Sequence, residues 1–286
     1  MKKYLTKQRR YFILLINLCV TASWGQTVVQ TIAFADSSFK QQQHHLAIKE
    51  YQRALLFCEN NRKQYVYRKI AESYFYINQF DKAIDYYDYS FGMTNNDSIK
   101  NELLFCKAFC FIQDKNYDFA MVELFSISDS LSKEMQAKYN FFMAVCYYGK
   151  SDYKSAEEYF VQSIPSSDTK GISAIHDIFK DKKNYQRPSP RAAKIMSFIV
   201  PGAGQIYAGD FKNSINSLLL TGGLAALFIH VSLSYTFIDA LIGVGPWIQR
   251  YYQGGLTKAE KIARVKLEQR RSNTFDSIVE IVMSKK

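Results

Sequence analysis

The 286-residue sequence is poor in the residue groupings that build active sites. It has four histidines, and they do not keep ligand spacing with the cysteines, so no metal site is spelled out. No C-x-x-C occurs. The one glycine-rich stretch is followed by no Walker lysine, and G-x-G-x-x-G is absent, which leaves no phosphate cradle for a nucleotide. Paired carboxylates, a nucleophile with its base and a metal cluster are all missing from the pattern. The sequence therefore implies no catalytic residue, no metal and no cofactor, and it reads as a binding protein, not an enzyme.

Acidic residues are missing from the first ten positions, and the net charge of +11 is placed unevenly. Those ten residues carry +5, residues 11–181 carry −3 and residues 182–286 carry +9. Terminal basicity beside apolar segments suits anionic lipid headgroups, whereas a nucleic-acid binder would carry its basic stripe on the folded domain, so no nucleic acid is expected as partner. Lys2, Lys3, Lys7, Arg9 and Arg10 precede an apolar run from Tyr11 to Val20, with small and polar residues through Ala22, Ser23 and Gly25. That is the layout of a secretory signal peptide over residues 1–25, with an uncleaved anchor as the alternative. Cys19 follows the bulky Leu18, which disfavours a lipoprotein cleavage site. Cys58, Cys106, Cys110 and Cys146 then remain. An even count in an exported chain permits disulfides, but Cys106 and Cys110 stand one helical turn apart in an apolar pattern, where thiols pack as small hydrophobes.

A small-residue and aromatic pattern recurs four times in the first half. The second copy reads Ile70, Ala71, Tyr74, Phe80, Ala83, Tyr87 and Ser90. The third reads Ala108, Phe111, Tyr117, Ala120, Leu124 and Ile127, and the fourth Met143, Ala144, Tyr147, Tyr153, Ala156, Phe160 and Ser163. The first keeps only Ala47, Tyr51 and Ala54. Ala47, Ala83, Ala120 and Ala156 are spaced by 36, 37 and 36 residues. Large residues fall at helical spacing within each copy, and turn formers such as Asn78-Gln79, Asp114-Lys115-Asn116 and Gly149-Lys150-Ser151-Asp152 separate the helices. Each copy predicts a helical hairpin that cannot bury its face alone, so stacking is required and an α-solenoid follows.

This pattern resembles the tetratricopeptide repeat family over about Val28 to Ser167, without that family's tryptophan near each unit's start and with slightly longer units. The resemblance implies that the first helix of each pair lines a concave groove for a peptide or helix of a protein partner. Transferred by motif position, the lining comprises Tyr65, Arg68, Glu72 and Tyr76, then Glu102, Phe105, Phe109 and Gln113, then Lys138, Phe141, Val145 and Tyr148. Exposed aromatics in such a surface would anchor an apolar segment.

Residues 168–191 turn polar and charged, ending in Arg187-Pro188-Ser189-Pro190, and predict a linker. Asn213 to Ile238 carries no formal charge, and a second apolar stretch runs from Ala240 to Ile248. Two helices of about seventeen residues turning near Ser232 to Tyr235 would form a tight transmembrane hairpin; a single tilted span to about Tyr235 with an interfacial helix after it is the other reading. Trp247, Tyr251 and Tyr252 suit the headgroup level in either. Ahead of this run, Pro201, Gly202, Gly204, Gln205, Tyr207 and Gly209 spell P-G-x-G-Q-x-Y-x-G, in which the glycines permit a sharp turn and Gln205 and Tyr207 can satisfy backbone groups. Together with Arg250, Tyr251 and Tyr252, this motif resembles a family of uncharacterised bacterial membrane proteins that pair it with a short helical hairpin and often with tetratricopeptide repeats.

That resemblance, over about Ser189 to Glu280, implies a membrane-attached domain at residues 192–255 and a lipid membrane as partner, but no activity. Residues 256–286 predict a basic amphipathic helix, lying on the membrane or merely solvated. An exported repeat domain followed by two spans would return this basic tail to the exported side, against the tendency of Lys and Arg to stay cytoplasmic; one span or three would resolve it. The expected whole is an all-α, non-enzymatic scaffold of the bacterial cell envelope with its repeats, residues 26–167, in the periplasm. The alternative is a transport or enzymatic component regulated by the repeats, with His230, Asp239 and Arg250 as intramembrane candidates.

Overall fold

The computed structural model describes residues 27–128 and 131–284, so the expected signal segment lies outside the described residues. Fifteen α-helices and no strand occur among the described residues, which makes the chain all-α as its periodicity predicts. It divides into two compact units with the boundary between Asp152 and Tyr153.

In the first unit the chain runs through α1 (Val28–Lys40), α2 (His44–Leu55), α3 (Asn60–Tyr76), α4 (Phe80–Gly92), α5 (Asp97–Gln113), α6 (Tyr117–Phe125) and α7 (Lys133–Gly149). Helices α1 with α2, α3 with α4, and α5 with α6 pair as hairpins, and α2 with α3, α4 with α5, and α6 with α7 join one hairpin to the next. Two columns of alanine explain the close packing. Ala47, Ala83 and Ala120 are fully buried in the second helices, and Ala35, Ala71, Ala108 and Ala144 are fully buried in the first helices at spacings of 36, 37 and 36 residues. Where the side chain is a methyl group the helix axes approach closely, and Tyr51, Ile70, Leu103 and Leu124 fill the space beside them. The first pair is as regular as the others: Ala35, which the sequence reading left out, completes its register.

The turns repeat as well. Gln42, Asn78, Lys115 and Ser151 all have positive φ, between 58° and 65°. Each donates its N–H to a carbonyl three residues back, and the next residue's N–H reaches five back, as in Asn78 to Phe75 and Gln79 to Tyr74 (2.9 and 3.0 Å). This left-handed closure satisfies the orphan carbonyls of the first helix and aims the chain into the second. The same device at the same spacing as the alanines establishes a tetratricopeptide-like repeat of helix pairs.

The second unit contains α8 (Tyr153–Gln162), α9 (Thr169–Lys180), α10 (Lys183–Gln186), α11 (Pro190–Ile199), α12 (Ala203–Tyr207), α13 (Phe211–Ser234), α14 (Phe237–Gly243) and α15 (Gly245–Met283). The unit boundary thus falls between the two helices of the fourth predicted pair, short of residue 167. The expected linker over residues 168–191 is instead largely helical: Ile175, Phe179 and Tyr185 are buried, Tyr185 Oη donates to the Phe179 carbonyl (2.8 Å), and the Tyr153 and Tyr185 rings stand 4.2 Å apart. The expected C-terminal helix is present, as the second part of α15, with one face packed and not free. Helix α15 is the spine of this unit, burying Ala259, Ala263, Leu267, Thr274 and Ile278 against α9 to α12. Its basic side chains hold backbone carbonyls, Arg271 that of Tyr185 (2.9 Å) and Lys266 that of Gly209 (3.1 Å).

Helix α13 is the one helix among the described residues long and apolar enough to cross a membrane, and only 6% of its most apolar stretch is buried. Its 24 residues reach about 36 Å at 1.5 Å each, enough for a hydrocarbon core of about 30 Å. The chain breaks after Ser234, inside the predicted turn, but no second seventeen-residue helix follows. The seven-residue α14 and the start of α15 form the returning leg, and contacts of Gly209 with Lys266 and of Ser217 with Gly255 make α13 and α15 antiparallel.

Candidate functional site

The helix-pair unit presents a pocket of about 190 Å³ lined by Phe39, Glu72, Phe75, Tyr76, Tyr87, Cys106 and Phe109. It gathers three of the predicted groove residues: Glu72, Tyr76 and Phe109. Tyr76 is 59% exposed and stacks on His44 at 4.8 Å, with Phe39 edge-on at 5.6 Å. Phe109, 39% exposed, meets Phe75 at 5.2 Å and Phe142 at 6.0 Å. Aromatic rings therefore run from α1 across α3 and α5 to α7.

Phe105 and Tyr148 do not belong to this surface, because they are buried at 1% and 9% exposure. The transferred register points Phe105 inward from α5, where Phe142 packs on its ring at 5.5 Å and the exposed Lys138 ammonium covers it at 4.4 Å. Tyr148 stands one position before the end of α7, where the repeat also places Phe39 and Phe75. Those last two, with Tyr87 and Cys106, are the pocket-lining residues that motif transfer did not include. Phe39 and Phe75 stand 36 residues apart, and that spacing was the signal for them. Phe141 and Val145 are half-buried on α7, and Gln113 is exposed at the end of α5.

Beside the rings lies a strip of charge. Arg68 bridges Glu72 (3.0 Å) and Glu102 (3.3 Å), joining α3 to α5, and Lys69 adds a bond to Glu72 (2.6 Å). Asp36 accepts from the hydroxyls of Tyr51 (2.5 Å) and Tyr65 (2.8 Å). Burial, then the bond to Asp36, raises the Tyr65 hydroxyl above the usual phenol range and keeps it a donor. The four cysteines are free, and burial pushes the Cys110 and Cys146 thiols up to about 12 and raises Cys106 too. Such thiols are neutral packing groups and poor nucleophiles. Among the described residues no three His, Cys, Asp or Glu side chains are placed to hold a metal. A pocket of this size, below the range that holds most cofactors, admits one or two apolar side chains with a polar strip to fix their orientation.

The glycine motif in the second unit is a packing device. Gly202 has φ +97°, and a Cβ there would meet the Ser214 carbonyl at 2.8 Å. A Cβ on Gly204 would come within 1.9 Å of the Ala193 carbonyl, so α11 and α12 touch backbone to backbone. Gln205 is fully buried: it accepts from Ser197 Oγ (2.9 Å) and donates to the Gly255 carbonyl of α15 (3.0 Å), while Ser197 Oγ accepts from Gly204 N (3.0 Å). Tyr207 Oη accepts from Ser189 N (3.1 Å), and Tyr252 Oη donates to the Phe198 carbonyl (2.6 Å). Pro201, half-buried, leads into this turn. Tyr251 stacks on Trp247 at 6.4 Å, and Arg250 is exposed. Of the other intramembrane candidates, Asp239 accepts from Thr236 Oγ1 (2.6 Å) where α14 starts, and His230 lies exposed on α13.

No protein-family model matches the chain, and no curated protein matches it. Among solved structures it is similar to a Rap protein crystallised with competence and sporulation factor, at 17% identity over 94% of this chain and 81% of that one, with a TM-score of 0.39.

Proposed function

We propose that the protein is a non-enzymatic scaffold whose helix-pair stack docks a peptide or helix from a partner protein while α13 attaches it to a membrane. The observation that carries the docking reading is the aromatic pocket around Tyr76 and Phe109, exposed rings beside the Arg68–Glu72–Glu102 strip. Large rings in a concave surface supply anchor area at low entropy cost, and the charges give register. Membrane attachment is supported by the exposed leucines of α13, with Leu219 and Leu233 at 67% and 83% exposure, which water solvates poorly. The P-G-x-G-Q-x-Y resemblance and the basic, apolar N-terminal segment favour a bacterial cell envelope, with the repeats in the periplasm.

The test is crosslinking of the full chain in intact cells, followed by mass spectrometry, for wild type and Tyr76→Ala/Phe109→Ala. Circular dichroism of the variant, matched to wild type, separates loss of the rings from loss of the fold. A partner recovered with wild type is lost from the variant; an unchanged partner set contradicts the pocket.

A further inference from the structure

In the second unit a separate pocket of about 240 Å³ opens where the chain enters α13, lined by Lys183, Arg187, Tyr207, Gly209, Lys266 and Arg270 among others. Four cations converge there from α10, the turn after it and α15, and no carboxylate lines the pocket. None of the four makes an ion pair among the described residues. Asp210, next after Gly209, has its carboxylate held by Asn213 N and Nδ2 (3.0 and 2.7 Å), so it caps α13; the charge of Lys266 reaches it, but the two form no ion pair and Asp210 does not line the pocket.

The cations are positioned, not loose. Lys266 Nζ donates to the Gly209 carbonyl (3.1 Å) and Arg270 Nη1 to the Arg187 carbonyl (3.3 Å), each using one of several N–H donors. Tyr207 Oη already accepts from Ser189 N, which leaves its own hydrogen to donate inward. Like charges gathered this way repel unless an anion joins them, and a guanidinium fork matches phosphate oxygens bidentately.

We infer that this pocket binds a phosphate-bearing anion. Its place at the end of the apolar helix favours the phosphate of an anionic lipid headgroup over free phosphate. The lipid source rests on the membrane reading of α13, whereas the pocket stands on its own geometry.

The test uses the full chain purified in a neutral detergent, with thermal unfolding followed at fixed ionic strength. The probes are dihexanoyl phosphatidylglycerol, dihexanoyl phosphatidylcholine and inorganic phosphate. A saturable rise in Tm is expected with phosphatidylglycerol, and binding weakens about tenfold or more in Lys183→Gln/Arg187→Gln, two lining residues of which only backbone atoms make hydrogen bonds among the described residues. Lys258→Gln/Lys261→Gln, outside the pocket, keeps the rise. A rise with inorganic phosphate of the same strength and variant dependence supports the pocket and assigns free phosphate as its ligand. If the double variant is unstable, equilibrium dialysis of labelled phosphatidylglycerol against single Lys183→Gln reads the same loss. No saturable rise with any probe, an unchanged rise in the pocket variant, or an equal loss in the outside variant overturns the inference. Partner capture and membrane extraction are scored separately, so failure here is distinct from failure of the scaffold reading.

Discussion

Gly204→Ala isolates what the glycine motif does. Its ideal Cβ stands 1.9 Å from the Ala193 carbonyl oxygen and 2.5 Å from Ser197 Oγ, against an ordinary contact of 3.4 Å or more. Both neighbours belong to α11, so α11 must retreat by about 1.5 Å, because packed backbone has no slack to absorb the difference. That retreat breaks the buried chain of Gly204 N to Ser197, Ser197 to Gln205 and Gln205 to the Gly255 carbonyl. Three bonds at about 1 kcal/mol each, with polar groups left stranded, give a loss of about 3–5 kcal/mol. Thermal unfolding of the full chain in a neutral detergent should register a fall of about 10 °C or more. Gly222→Ala is the control: a Cβ there meets nothing within 4 Å, and alanine favours a helix interior by up to about 1 kcal/mol. If Gly204→Ala falls no further than Gly222→Ala, the close approach of α11 and α12 is not what the motif secures.

Two predictions concern the repeats, both read by urea unfolding of the full chain followed by circular dichroism. Lys107 is buried between Asp88 (2.6 Å) and Glu123 (2.8 Å); burial lowers its pKa, but the two bonds outweigh this and leave it raised. Lys107→Met strands the mostly buried Glu123 and costs about 2–3 kcal/mol, with little from the half-exposed Asp88. The stability Lys107 contributes is whole below the unfolded lysine value of about 10.4 and disappears as pH climbs through the raised one, so wild type but not Lys107→Met loses this contribution in alkali. Lys115→Gly relieves a left-handed residue at φ 59° and should stabilise by about 0.5–1 kcal/mol, while Asn78→Gly gains less because asparagine tolerates that conformation.

The repeat was legible because two packed helices leave no choice of residue at their crossing: Ala83 and Ala120 cannot be larger. Three of the turns were legible only as turn formers and the one at Gln42 not at all, since Gln42, Lys115 and Ser151 take the left-handed conformation without the glycine that would advertise it. Ile175, Phe179 and Tyr185 were hidden among lysines and aspartates, so an ordered segment read as a linker. The seam of α15 was equally faint, because Ala259, Ala263 and Thr274 carry little hydrophobic signal. Of the groove residues implied by motif transfer, Glu72, Tyr76 and Phe109 line the pocket, whereas Phe105 and Tyr148 are buried a fraction of a helical turn away, a difference that sequence periodicity cannot resolve.

The most direct test asks what solvates α13. Membranes from cells making the full chain are washed with alkaline carbonate and the fractions probed for wild type and for Leu219→Arg/Leu227→Arg. The account predicts that wild type stays in the pellet and the variant moves toward the supernatant. Wild type washing out of the lipid would contradict it.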